Sequence, residues 1–184
     1  MIDVKIRLLS AAARIPTYAT DGAAAFDLYA AEDVIIAPGE TKKVPLGFAV
    51  EVPPGYVMYV MMRSGIALKT KLRQPNGIGV IDSDYRGEVA MMFENNSRDT
   101  WSNAARRLDN RYEIESMSKC APGSYLIRTG DRVAQAVIVP VPRVSFEMVT
   151  ELSETARGGG GFGSTGVGGG AKSERRGDEE CRER

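Results

Sequence analysis

Asn76-Gly77-Ile78-Gly79-Val80-Ile81-Asp82-Ser83-Asp84-Tyr85-Arg86-Gly87-Glu88 is the stretch on which the reading of this chain turns. Gly77 and Gly79 let a backbone approach closely, and Gly79-Val80-Ile81 offers main-chain donors and acceptors that no large polar side chain shields. Asp82 stands where this extended arm ends, two residues before Asp84 and three before Tyr85. The pattern predicts a hairpin that holds something flat beside a carboxylate. An ordinary hairpin with solvated acids and a tyrosine packed on its neighbours would carry the same residues.

Outward from that stretch the chain alternates in strand period. Val89 to Phe93 follows it, and Tyr56 to Met62 precedes it with apolar residues on both faces. Val34 to Val52 reads as two short strands about the turn Pro38-Gly39, ended by Pro53-Pro54-Gly55. Ile2, Val4, Ile6 and Leu8 alternate as a strand with one buried face. Ser124 to Arg128, the turn Thr129-Gly130-Asp131, Val133 to Val139 and a last strand over Arg143 to Thr150 complete the pattern. Short strands with Gly/Pro punctuation predict an all-β barrel or sandwich.

Composition removes many chemistries. The chain has 184 residues, 43% hydrophobic and 26% charged, enough for one domain with a core plus unpacked sequence. Lys plus Arg equals Asp plus Glu at 24 each, so nothing biases the whole molecule toward nucleic acid or an anionic membrane. No apolar run reaches the ~20 residues of a membrane span and the first residues lack a signal layout, which gives a cytoplasmic expectation. There is no histidine, so Ser-His-Asp, Cys-His and His-metal sites are excluded. Cys120 and Cys181 make no disulfide framework. Carboxylates, arginines, hydroxyls, backbone amides or an oxygen-ligated metal remain.

Several further residues suit such chemistry. Asp27, between Phe26 and Leu28, is either a solvated strand acid or a functional one. Arg63-Ser64-Gly65 ends a strand as a phosphate cradle made without a helix, or as a charged strand end in a loop. Gln135 lies among apolar neighbours, where an amide needs a partner or a ligand. Residues 97–123 break the strand rhythm with Trp101, Leu108 and Tyr112 among charges; they read as an inserted helix or hairpin outside the core. From Arg157 to Gly170 the chain is glycine-rich with Phe162 as its aromatic residue, either a linker or a lid. Its formal G-x-G-x-x-G has no preceding strand, following helix or parallel sheet, so it is no dinucleotide fingerprint.

Taken in order, AAAFDLYA, RSGIALK, NGIGVIDSDYRGE, GDRVAQAVIVPV and RGGGGFGSTG closely resemble the five motifs of the trimeric dUTPase family, over residues 1 to about 166 with 97–123 set aside. The third and fifth stretches are the specific ones. The resemblance implies a jelly-roll-like β subunit (1–156), a lid (157–166), a charged tail (167–184) and a homotrimer with sites shared between subunits. It implies hydrolysis of dUTP to dUMP and pyrophosphate, with Asp82 as general base for water attacking the α-phosphorus.

By the same resemblance Asn76 and the main chain of Gly79, Val80 and Ile81 read uracil, and Tyr85 lies against the deoxyribose and rejects a 2′-hydroxyl. Ala90 contacts nucleotide through backbone. Arg63, Ser64 and Gly65 hold phosphates with Gln135 assisting. Arg157, Phe162, Gly163, Ser164 and Thr165 close the lid, the ring over uracil. Mg2+ is held mainly by the phosphates, with Asp27 contacting it through water. Arg132 and Asp84 match structural ion partners. The insertion is similar to those of bacteriophage dUTPases, some of which bind regulatory proteins, and its near-neutral charge favours protein over nucleic acid as a partner. The alternatives are dCTP deaminase of the same superfamily and a trimeric regulatory module acting through the insertion.

Overall fold

The computed structural model describes residues 2–98, 105–109, 111–113 and 120–164. Trp101, Lys119, Thr165 and the charged tail therefore lie outside the described residues. The chain divides into two compact units, Met1–Val144 and Ser145–Arg184.

The first unit is nearly all β, as the periodicity predicted, and jelly-roll-like, as the resemblance implied. Its strands are β1 (Lys5–Leu8), β2 (Thr17–Tyr18), β3 (Phe26–Tyr29), β4 (Val34–Ile36), β5 (Thr41–Pro45), β6 (Phe48–Glu51) and β7 (Tyr56–Met62). The helix α1 (Ser64–Lys69) follows, then β8 (Leu72–Arg73), β9 (Gly79–Ile81), β10 (Ala90–Asn95), β11 (Ala105–Arg107), β12 (Tyr112–Glu113), β13 (Tyr125–Ile127) and β14 (Arg132–Pro140). The largest sheet runs β2-β3-β14-β7-β9, with β14 antiparallel to both β3 and β7. The register sets Gln135 opposite Asp27 on one side and Met61 on the other. Smaller sheets, β5-β10-β8, β12-β11-β13-β4 and β1-β6, complete the body.

Phe48, Phe93 and Tyr125 are the bulkiest fully buried side chains, packed with Leu28, Ile36, Leu46, Met58 and Ile127. Each such side chain contributes about 1.5–3 kcal/mol by leaving water. Among the described residues Asp27, Thr70, Asn95 and Ser124 are buried polar residues, and Asn95 is satisfied: its amide donates to Ile36 O and Gly123 O, and its Oδ1 accepts from Ser97 N. Asn95 therefore ties β10 to β4 and to the turn before β13.

Four expectations are corrected. Asn76–Glu88 is not a hairpin: β9 pairs antiparallel with β7, while β10 joins β5 and β8 in another sheet. No strand forms over Arg143–Thr150, where alternating Val144, Phe146 and Met148 are exposed. A strand requires partners for its backbone groups, and this segment has no ladder among the described residues. The face of β1 is only partly covered, with Val4 and Ile6 packed against the core but Ile2 and Leu8 left 43% and 46% exposed. The insertion is a hairpin over its described part, but it is not outside the core. There β11 pairs with β12 and lies parallel to β13, Ala105 is fully buried, and Leu108 packs against the core.

Asp33 ties two turns of this body together. Its carboxylate accepts from Thr129 N and Thr129 Oγ1 and pairs with Arg128. The Thr129 backbone N–H, and then the Arg128 guanidinium, hold its pKa below the ordinary 3.8. A depressed folded-state pKa means the stabilisation is complete above that ordinary value and is lost as pH falls through the lower, folded one. The side chain is 45% exposed, so solvent screening limits the effect. Asp33→Asn should cost roughly 0.2–1 kcal/mol near neutral pH, and the gap between variant and parent should close on acidification. Urea titrations at several pH values check this; a constant gap down to the acid limit would remove Asp33 from the account.

Candidate active site

Local geometry makes the 76–88 stretch a rigid ledge. Gln74 Oε1 accepts from Met62 N and its Nε2 donates to Val60 O, so the Gln74 amide fastens the start of the ledge to β7. Gly77 takes φ 68°, and Ile78 N donates to Asn76 O, which turns the chain into β9. A Cβ on Gly79 would stand 3.2 Å from the Val60 side chain, so this position needs its small residue for β9 to lie close on β7. As an edge strand, β9 has one row of amides and carbonyls outside its ladder with β7.

The turn after β9 closes through Tyr85 N to Asp82 O, and Tyr85 OH donates to Glu88 O at 3.0 Å. The Tyr85 ring folds over Gly87, where a Cβ would meet the phenolic oxygen at 2.4 Å and ring carbons at 2.5 and 2.9 Å. Glu88 in turn accepts Gly47 N. The result is a tyrosine face held at both ends beside an exposed Asp82.

Seven of the sequence-derived residues, Asn76, Gly79, Val80, Ile81, Asp82, Tyr85 and Ala90, line one cavity of about 430 Å³. Lys43 and Met92 also line it, and sequence reading missed both. They sit on β5 and β10, brought in by the antiparallel register Met92↔Lys43, which no local motif encodes. Asp82 is exposed and Val80 is 53% exposed, so this chain alone leaves the carboxylate open to solvent.

The cationic residues gather elsewhere. Arg63 and Gly65 line a second cavity of about 320 Å³ with Lys69, Arg107, Asp109, Asp131 and Arg132. Four cations against two carboxylates give it a net positive lining suited to phosphate. The Arg63-Ser64-Gly65 cradle is not helix-free: Arg63 is the N-cap of α1, and Ser64 and Gly65 are exposed in its first turn. Arg63 Nε pairs with Asp27 Oδ1 at 3.0 Å and Arg132 Nη1 with Asp27 Oδ2 at 3.2 Å. Asp27 is 7% exposed, so the solvated-acid reading is excluded; its burial is compensated by two guanidiniums. Gln135 is half-buried next to Asp27 across the ladder and donates to Met62 O at 3.5 Å. Arg132 is thus an ion partner, of Asp27.

In the second unit a turn joins Gly158 N to Thr155 O, and Arg157 Nε donates to Gly160 O at 2.7 Å. Phe162 is fully exposed with φ 49°, and Gly163 follows at φ 91°. Ser164 N donates to Gly161 O.

The family model for dUTPase matches residues 11–107 and 123–166, leaving out most of the segment read as an insertion. A deoxyuridine 5′-triphosphate nucleotidohydrolase from Anaeromyxobacter sp. (strain Fw109-5) is 42% identical over 152 residues, 83% of this chain and 87% of the relative. One from Nautilia profundicola is 41% identical, covering 89% and 98%. The Staphylococcus bacteriophage 80alpha dUTPase with dUpNHpp is similar in structure, with TM-score 0.82, 35% identity, and 90% and 99% of the two chains covered. The dUTPase of phage phi11 of S. aureus, described with a species-specific insert, gives TM-score 0.74 at 29% identity over 83% and 99%. A D95N form of that enzyme is described as coordinating a structural Mg(II) ion. With one cavity built from the third motif, a cationic one built from the second and fourth, and this match on both sides of the insertion, the chain belongs to the dUTPase family.

Proposed function

We propose that this chain hydrolyses dUTP to dUMP and pyrophosphate at sites assembled between three identical subunits. One observation carries the reading: the base-side residues around Asp82 and the phosphate-side residues around Arg63 line separate cavities of a single chain. A triphosphate needs both sets at once, so the second set comes from another copy. The partly uncovered face of β1 and the apolar groove between Ile2, Val4, Ile15 and Phe26 support an assembly that covers them.

In this reading Asp82 takes a proton from a water whose oxygen bonds to the α-phosphorus; the bond from that phosphorus to the bridging oxygen breaks, and pyrophosphate leaves. Asn76 and the free edge of β9 read the base. Tyr85, fixed by its hydrogen bond to Glu88, walls off the 2′ position. Arg63, Ser64 and Gly65 hold phosphates, Gln135 flanks them, Ala90 offers backbone, and Arg157, Phe162, Gly163, Ser164 and Thr165 close the lid. Magnesium, when bound, neutralises phosphate charge. Among the described residues no three His, Cys, Asp or Glu side chains converge, so the residues fit an ion brought by the phosphates. Asp27 gives each oxygen to an arginine and would reach that ion only through water, by a lone pair that remains.

A regulatory protein that docks on the insertion is the second reading, favoured by a phage 80alpha relative described as linking enzymatic activity to an inducing capacity. No described helix is long and apolar enough to cross a membrane.

Mixing two inactive variants tests the composite site. Asp82→Asn and Arg63→Ala, each inactive alone, should regain about one quarter of the sites when unfolded and refolded together, the random share expected if the two residues come from different copies. Absence of any recovery, with mixed trimers demonstrated by mass, would place both residues in one subunit's site. Ammonia release from dCTP in place of pyrophosphate release from dUTP would replace the reaction itself.

A further inference from the structure

The cationic cavity contains a contradiction that the motifs do not resolve. Asp131 lines it beside Arg63 and Arg132, and a carboxylate in the wall of a phosphate cavity repels its ligand. Asp131 cannot simply move away. Its Oδ2 accepts Arg128 N at 2.9 Å, its carbonyl accepts Ala30 N, and the next residue is Arg132, whose carbonyl accepts Arg63 Nη1.

The cation that answers it comes from β11, at the edge of the segment the family match leaves out. Arg107 Nη2 reaches both carboxylate oxygens of Asp131, at 3.1 and 3.2 Å, and the two side chains are only 26% and 24% exposed. Partial burial weakens screening, so this pair acts more strongly than a surface one. β11 is held in place by Arg106 N to Ser124 O and by its ladder with β13.

We propose that Arg107 is a positioning residue for the phosphate side of the site: it neutralises Asp131, so that the cavity presents a net positive wall to the nucleotide's phosphates. The β11–β12 hairpin is then part of the catalytic body as well as a candidate docking surface. This inference rests on the reading of the Arg63 cavity as the phosphate side.

The test is binding of dUpNHpp and of dUMP to the full-length protein by calorimetry. Arg107→Ala should weaken dUpNHpp about tenfold while changing dUMP, with one phosphate in place of three, far less. Adding Asp131→Asn to that variant should restore most of the loss, because the uncompensated carboxylate is gone while an oxygen still accepts Arg128 N. Arg107→Lys, which keeps the charge and most of the stem, should fall between parent and Ala and serves where the Ala protein is poorly folded. Equal losses for both nucleotides, or no recovery in the double variant, would reduce Arg107 to a fastener of the hairpin and overturn the proposal. Failure of the parent protein to hydrolyse dUTP would instead strike the reaction, since the binding comparison reads out independently of turnover.

Discussion

Asp82→Asn is expected to lower turnover of dUTP by a factor of ~10² to 10⁴ while dUpNHpp still binds. The substitution preserves shape and removes the group that accepts the proton, and nothing in the fold depends on the carboxylate. The turn that positions residue 82 is closed by its main-chain carbonyl to Tyr85 N, which asparagine retains. The competing acids are distinguishable by where they stand. Glu88 is committed to Gly47 N. Asp82 lines both the cavity of Asn76 and Tyr85 and a neighbouring one with Tyr56, Tyr59 and Arg143, whereas Asp84 lines only the latter. Asp84→Asn should therefore have a much smaller effect on turnover. Rates of pyrophosphate release and parallel binding titrations decide it; a fast Asp82→Asn protein beside a slow Asp84→Asn one would exchange the two assignments.

The strands were legible where local pattern sets them. Tyr56–Met62 is apolar on both faces, with Val57 buried on one and Met58 and Val60 on the other, and its bounds are those that the alternation predicts. Partnering was not legible. Asn76–Glu88 reads as a hairpin because glycines and acids mark a turn, yet β9 pairs with a strand some twenty residues earlier, an arrangement held by Gln74 acting on the β7 backbone. Arg143–Thr150 alternates as a strand, but alternation alone supplies no pairing partner, and Val144, Phe146 and Met148 are exposed.

The candidate site divides in the same way. Residues of the third motif converge because a few turns bring them together, so one cavity collects seven of them. Asp27 needed the structure: only the register of β3 on β14 and the return of Arg63 at the end of β7 show that its charge is balanced by two arginines. Lys43 and Arg107 lie in none of the five motifs, and Lys69, though it ends the second, was not singled out. They enter the cavities through cross-strand pairing, helix phase and an insertion, each a long-range relation.

Removal of every residue after Ala156 should leave the body folded and sharply reduce catalysis. The compact first unit ends at Val144, and no residue from 157 to 164 belongs to the buried core, so the unfolding midpoint should be unchanged. Catalysis should differ because, in the proposed reading, a triphosphate bound only by Asp82's ledge and the Arg63 cavity would remain open to water. The segment carries what closure requires: Arg157 for charge, a run of small residues whose amides can approach phosphate, and an exposed Phe162 ring able to stack on a base. Arg157 is presently turned onto Gly160 O, and Phe162 holds φ 49°, which a bulky residue adopts at a cost of about 1–3 kcal/mol. Loss of such a lid typically costs on the order of 10²-fold through misplacement of the reacting groups, and it should fall mainly on kcat, because the base and sugar contacts stay with the body. Phe162→Ala in the full chain should reproduce part of the loss. A truncated protein with the parent's kcat and KM would return residues 157–166 to the status of a linker and leave the ledge and the cationic cavity to perform the reaction unaided.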